Sequence, residues 1–209
     1  ADGVGQFVFM SSMIVYGKQE HISKDTKPQP SNFYGDSKWK ADKGVRCLAS
    51  TAENGEREFV VTVLRSPMIY GKGSKGNYPT LSRLAQKLPV FPEYQNKRSM
   101  LYIENLCEFL SIVMIRGLGG IFWPQNREYS STSDIVRTIA AVHNHKIIVS
   151  KLLSPVAAIA KCIPGKIGGM AKKAFGDSWY EADMSRYEGI DYQIVSLSES
   201  IEKTEDYKI

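Results

Sequence analysis

The chain has 209 residues, 43% apolar and 23% charged, with a formal net charge of +5 at pH 7. This is the make-up of a soluble globular protein with one domain, an accompanying lobe and a sizeable core. Three well-separated cysteines (Cys47, Cys107, Cys162) suit neither a disulfide framework nor a zinc site and point to a reducing cytoplasm. His21, His143 and His145 form no metal-ligand pattern, so no metal is expected. The lysines are spread along the chain without a dense basic helix or an aromatic ladder, which argues against nucleic acid and leaves a field suited to a diphosphate. No apolar run reaches the roughly 20 residues of a membrane span, and no signal peptide heads the chain.

Residues 1–5 predict a loop, and the apolar run from Gln6 to Ser11 predicts a strand covered on both faces. Such a parallel strand needs neighbours, which are expected from earlier sequence. A polar loop over 17–31 with Pro28 and Pro30 leads to a helix over 37–48, which fades into a turn at 52–56. Phe59 to Arg65 is a second buried strand, rich in β-branched residues and ended by Ser66-Pro67. Gly71-Lys72-Gly73-Ser74-Lys75-Gly76 matches G-x-G-x-x-G before a helix over 79–88. A dinucleotide loop also needs a following strand that ends in an acid. The proline-rich segment 88–93 is not such a strand, so the loop reads as a substrate lid. An extended arm over 88–100 closes on Arg98. A helix over 106–116, a turn, and a short strand over 120–124 follow. Ser130 or Ser131 caps a helix over 133–143, and 147–150 is a short strand. Residues 151–175 hold a helix, a Pro164-Gly165 break and a basic piece over 166–173; a last helix lies near 197–204.

Tyr34 and Lys38 are four residues apart, a spacing that stacks side chains on one helical face. Of the eleven tyrosines, only Tyr34 has a lysine at that distance. A phenol with an ordinary pKa of about 10 is a poor acid or base at neutral pH, and a nearby ammonium favours its ionised form. Ser12, at the end of the first strand, could share the proton in flight. Ser12, Tyr34 and Lys38 together suit a carbonyl/alcohol interconversion.

Four segments occur in a recognisable order: Phe7 to Gly17 with Ser11-Ser12 and Val15-Tyr16-Gly17, Tyr34-Gly35-Asp36-Ser37-Lys38, Leu64 to Gly71, and Arg98 to Leu106. This combination resembles the extended short-chain dehydrogenase/reductases, the nucleotide-sugar epimerases, reductases and dehydratases. The resemblance implies an α/β fold: the C-terminal part of a doubly wound, Rossmann-type parallel sheet plus a small, mostly helical substrate lobe. Residues 1–66 would form the catalytic half and 67–209 the substrate lobe, with 104–124 returning to the sheet. It implies Tyr34 as proton donor and acceptor, Lys38 as ribose anchor, and Ser12 as the residue orienting the substrate hydroxyl. NAD or NADP would meet Met10, Ser11, Tyr34, Lys38, Arg65, Pro67 and Met68. A nucleotide-diphosphate sugar would meet Ser12, Met13, Val90, Phe91 and Arg98, the last on the diphosphate. Many relatives have Asn where Met68 stands, and Asn77 is a replacement. Family dehydratases carry an Asp-Glu pair where this chain has Met13 and Ile14, so epimerase and 4-ketoreductase remain, acting on UDP-N-acetyl-sugars for surface polysaccharides.

Family members begin with a Gly-rich pyrophosphate loop that has no counterpart upstream of residue 5. The expectation is a truncated chain that binds NAD(P) poorly and exposes a sheet edge. That edge would be completed by another chain or buried in a homodimer. The alternative is a catalytically silent remnant that binds nucleotide sugars or serves as an assembly piece.

Overall fold

The computed structural model describes residues 3–49 and 59–206, so the turn expected at 52–56 lies outside the described residues. In chain order the elements are β1 (Gln6–Met10), β2 (His21–Ile22), α1 (Phe33–Arg46), β3 (Val60–Leu64), β4 (Met68–Tyr70), α2 (Tyr78–Lys87), β5 (Val90–Pro92) and β6 (Met100–Tyr102). They continue with α3 (Ile103–Ile115), β7 (Gly120–Phe122), α4 (Thr132–Val142), β8 (Ile148–Ser150), α5 (Ser154–Cys162), α6 (Lys166–Phe175), β9 (Trp179–Tyr180) and α7 (Leu197–Glu205).

Three strands form a parallel sheet in the order β1-β3-β7. Gln6 to Met10 run beside Val60 to Leu64, and Thr62 to Leu64 beside Gly120 to Phe122. The β-branched run of β3 fills the middle of this sheet, with Val61, Thr62, Val63 and Leu64 all buried. Helix α3 lays Leu106, Phe109 and Val113 against Leu64, Leu101 and Tyr192, which ties residues 103–122 to the sheet. A second cluster joins α2, α4 and α7 to β4 and β6 through Leu81, Ile135, Ile139, Ile201, Tyr70 and Tyr102. A third holds Val15, Tyr16, Ile22, Tyr180 and Met184.

Helix α1 starts at Phe33, four residues earlier than expected. Asn32 caps it, its side chain accepting from the Gly35 amide at 2.8 Å, which brings Tyr34 inside the first turn. Ser131, rather than Ser130, caps α4 by accepting from the Asp134 amide. The segment 88–93 does contain a strand: among the described residues β5 pairs with β8 alone, and Pro92 closes it where no further ladder bond is lost.

The charge centre of the fold is Asp42, which is 0% exposed. Its carboxylate accepts from Arg65 Nε at 2.9 Å and Nη2 at 3.0 Å, from Ser11 Oγ at 2.9 Å and from Arg46 Nε at 3.0 Å. Arg65 Nη1 donates to the Tyr16 hydroxyl at 2.9 Å, and the guanidinium lies over the Tyr16 and Trp39 rings. Burial alone would lower the pKa of Arg65, but the Asp42 carboxylate and Tyr16 outweigh it and hold the group firmly charged.

Removing one partner of such a pair strands a buried charge. Asp42→Asn is expected to lower unfolding free energy by about 3–5 kcal/mol in urea denaturation. Lys40→Ala, which breaks the exposed Lys40–Asp36 pair, should change it by less than about 0.5 kcal/mol. Equal losses in the two variants would contradict this ranking.

Alkaline stability follows from the buried phenols. Burial raises Tyr70, Tyr78, Tyr180 and Tyr187, and pushes Tyr192 up to about 12. In the unfolded chain these groups release their protons near pH 10. Above that pH the folded state therefore holds protons that the unfolded state has lost, and stability falls. The denaturation midpoint should be flat up to about pH 10 and drop steadily toward pH 12. A midpoint unchanged across that window would show that these phenols ionise in the folded state.

Candidate active site

β1 ends at Met10, and the next residues turn sharply. Ser12 caps a 3-10 turn over Met13–Tyr16, its Oγ accepting from the Ile14 amide at 3.3 Å, which leaves the hydroxyl proton available. Gly17 closes that turn with φ +69°, and a Cβ there would lie 2.0 Å from the Gln29 carbonyl oxygen. Gly35 makes the second close approach: a Cβ on it would lie 2.9 Å from the Ile14 carbonyl oxygen. Glycine at this position lets the first turn of α1 sit directly against the segment that carries Ser12. Lys38, one turn on, reaches back to the strand end, where its Nζ donates to the Met10 carbonyl at 2.9 Å beside the Phe9 ring. Tyr34 is 58% exposed, and its hydroxyl makes no hydrogen bond among the described residues. Ser12, Tyr34 and Lys38 thus cluster at the carboxyl end of β1, with the phenol open to a ligand.

A second site lies on the lobe side. A cavity of about 280 Å³ is lined by Met68, Asn77, Leu81, Phe91, Arg98 and Phe175, with further apolar atoms from α2 and α6. Asn77 holds the cap position of α2, yet its side chain makes no capping bond. Arg98 Nη1 donates to the Ala174 carbonyl at 3.2 Å. Burial lowers the Arg98 pKa while Asp177 works against that shift. A guanidinium, an amide and an apolar wall around one space suit a ligand with both an anionic and a flat apolar part.

Several expected contacts are placed differently. Arg65 does not present its guanidinium to a cofactor, because its hydrogen bonds are directed at Asp42 and Tyr16. The Ser11 hydroxyl is likewise spent on Asp42. Met68 was expected at the cofactor but lines the lobe-side cavity with Asn77, Phe91 and Arg98. Val90 is exposed and absent from the lining, since neighbours on a strand face opposite ways. Met13 Sδ accepts from Ser178 Oγ at 2.9 Å and packs in the third core cluster. Met10 contributes its carbonyl, and Pro67 is buried beyond the end of β3. The G-x-G-x-x-G run joins β4 to α2, and among the described residues β4 pairs only with β6, outside the three-stranded sheet. Asp42 and Tyr16 were not foreseen. Asp42 lies one turn after Lys38 and one turn before Arg46, the only sequence signal that it belongs to the inner face of α1.

A parallel sheet with a Ser, Tyr and Lys set at its carboxyl end defines a Rossmann-like α/β protein. The chain belongs to the NAD dependent epimerase/dehydratase family, whose sequence model matches residues 1–121. It is 34% identical over 112 residues to an N-acetyl-alpha-D-glucosaminyl-diphospho-ditrans,octacis-undecaprenol 4-epimerase of Escherichia coli O157:H7, covering 52% of this chain and 33% of that protein. A UDP-glucose 4-epimerase of Vibrio cholerae is 31% identical over 147 residues, covering 66% of this chain and 43% of that protein. The chain therefore spans a third to under half of the length of these relatives. Among solved structures, the Thermus thermophilus UDP-glucose 4-epimerase in complex with NAD superposes with a TM-score of 0.69 at 18% identity, covering 98% of this chain and 64% of that one. At that identity the likeness establishes the fold.

The two ends of the Tyr34/Lys38 turn should respond differently to substitution. Tyr34→Phe removes a hydroxyl that makes no hydrogen bond among the described residues and should leave stability within about 0.5 kcal/mol of wild type. Lys38→Met unties α1 from the end of β1 and should cost about 1–2 kcal/mol in the same denaturation measurement.

Proposed function

We propose that this chain serves an NAD(P)-dependent nucleotide-sugar epimerase or 4-ketoreductase of the UDP-N-acetyl-sugar class. The observation that carries the proposal is the exposed Tyr34 phenol one helical turn from Lys38, on a helix whose first turn packs against the segment that carries Ser12, at the carboxyl end of a parallel strand. Open α/β sheets bind ligands in the crevice outside the carboxyl ends of their strands. The donor set there fits the ribose and carboxamide of a nicotinamide nucleotide. Lys38 is anchored at the strand end, and Ser66 Oγ, at the end of β3, is buried with no hydrogen-bond partner among the described residues. When bound, NAD(P) supplies the hydride acceptor and donor.

The chain's own residues do the rest. Tyr34 exchanges a proton with the sugar hydroxyl as it becomes a carbonyl, and returns it in the reverse step. Ser12, whose oxygen is already engaged by the Ile14 amide, donates a hydrogen bond to the same sugar oxygen and orients it. Lys38, anchored on the Met10 carbonyl, holds the ribose. Arg98 and Asn77 receive the nucleotide diphosphate, and Phe91 with Met68 flanks the base. Met13 and Ile14 carry no group that moves a proton, which speaks against water elimination. In this proposal residues 1–66 form the catalytic half and 67–209 the substrate lobe, and the pairing of β7 with β3 supports the return of 104–124 to the sheet. The Gly71–Gly76 turn serves as a lid, a role supported by its position ahead of Asn77 on α2.

Calorimetric titration with UDP-GlcNAc and a turnover assay with a UDP-4-keto-sugar and reduced cofactor test the proposal. Arg98→Ala should weaken UDP-GlcNAc binding by roughly tenfold or more. Tyr34→Phe should leave that binding intact and lower turnover by about 10²–10⁴. Binding without any turnover, with either cofactor, would favour a silent nucleotide-sugar binder. Binding unchanged in Arg98→Ala would remove the cavity from the substrate site.

A further inference from the structure

The positive charge of the chain is concentrated in one stretch. Residues 135–176 contain seven Lys or Arg and no Asp or Glu, whereas the rest of the chain holds 20 basic and 22 acidic residues. This acid-free stretch runs from α4 through β8 to the packed α5–α6 pair. It also carries large apolar side chains in the open. Leu152 is 89% and Ile159 65% exposed, and Ile148 and Ile163 are exposed as well. Leu152 lies in the short 3-10 turn before α5, Ile159 within α5 and Ile163 just after it, so open apolar side chains follow one another along this segment. Lys146, Lys151 and Lys172 of the same stretch are exposed as well. The pair is held to the body by Ser154 Oγ, which donates to the Glu93 carbonyl, and by Thr132 Oγ1, which donates to the Ala174 carbonyl.

Exposed apolar side chains interspersed with lysines, in a stretch whose own sequence holds no Asp or Glu, are the make-up of a segment that lies in a bilayer interface. Helices α5 and α6 have nine and ten residues, too short to span a membrane, and no helix among the described residues is long and apolar enough to cross one. Nucleic acid matches the charge but has no use for protruding Leu and Ile, and the exposed side chains include no stacking aromatic in this stretch among the described residues. A second copy of the chain packed through the same stretch would bring lysine against lysine. Anionic lipid satisfies both the charge and the apolar content.

We propose that the α5–α6 pair, through Leu152, Ile159, Ile163 and the lysines of the same stretch, docks this chain on an anionic bilayer surface. Because α6 supplies Ala171, Ala174 and Phe175 to the Arg98 cavity, docking would hold that cavity at the level of the headgroups. This inference does not depend on the proposed reaction.

The test is flotation of the full chain with vesicles of phosphatidylcholine containing about one third phosphatidylglycerol. Wild type should float with these vesicles, bind pure phosphatidylcholine far less, and be released by salt of about 0.5 M. Leu152→Ser with Ile159→Ser should weaken partitioning by about tenfold or more. Lys151→Glu with Lys172→Glu should weaken it by at least roughly fivefold per site. All four positions are exposed, and circular dichroism confirms that the variants fold. Failure of wild type to float, or wild-type flotation by both variants, overturns the proposal. So does a concentration-dependent dimer that Leu152→Ser with Ile159→Ser abolishes, or duplex DNA binding that Lys151→Glu with Lys172→Glu abolishes while vesicles are ignored.

Discussion

One buried carboxylate sets the geometry on which the rest depends. Asp42 accepts hydrogen bonds from the end of β1 (Ser11), from the end of β3 (Arg65) and from its own helix (Arg46). A charge taken out of water is tolerated only when its lone pairs are filled, and here they are filled by groups from three elements. The helix therefore has one rotation and one height at which it can pack. Lys38 is one turn before Asp42 and Tyr34 one turn before that, so fixing Asp42 inward fixes where the lysine and phenol emerge. Lys38 then closes on the Met10 carbonyl, and the phenol is left at the surface.

The lobe has a comparable polar hub in Asn126. Its Oδ1 accepts from the Tyr102 amide and from Asn105 Nδ2, while its Nδ2 donates to the Tyr70 hydroxyl. Asn105 in turn bonds the backbone of Val195 at both its amide and its carbonyl, and Tyr70 meets Ser200. β4, β6, α3 and the start of α7 are thereby held together by side-chain amides where the strands are only three residues long. A fully satisfied buried network of this kind rigidifies and specifies a core, although it adds little net energy.

The parts that were legible in the sequence are those with a period or a spacing. β1 and β3 announce themselves as apolar runs, and the helices by caps and amphipathic repeats. The Tyr34/Lys38 pair shows in the i, i+4 spacing itself. The parts that were not legible are set by tertiary partners. β4, β6 and β5 are too short to show alternation, and they are strands because β4 and β6 pair with each other and β5 with β8. Asp42, flanked by Lys40 and Lys43, looks like part of a solvated helix face until Arg65 is seen beside it. Arg65 looked available for a ligand for the same reason: a charged side chain at a strand end gives no local sign of its partner. Met68 was assigned from its place in a motif, whereas its surroundings come from α2 and α6, far along the chain.

The segment around β9 ties the end of the first strand, which carries Ser12, to the arm that carries Arg98. Ser178 Oγ donates to Met13 Sδ, one residue beyond Ser12, and the Tyr180 hydroxyl donates to the Arg65 carbonyl at 2.7 Å. On its other side the Ser99 amide donates to the Ser178 carbonyl, and the Tyr180 amide donates to Ser99 Oγ. Ser99 is the neighbour of Arg98. Tyr180 is fully buried, and burial raises its phenol well above the ordinary range, so it stays a neutral donor at any physiological pH. Three residues thus clamp the strand end that presents Ser12 to the arm that presents Arg98. A change in position at either end must be carried through hydrogen bonds of which those of Tyr180 are buried, which ties the spacing of the two regions to the fold. Under the proposed function, a ligand reaching from Tyr34 to Arg98 would be measured by that spacing, which makes the clamp as much a part of the specificity as either end.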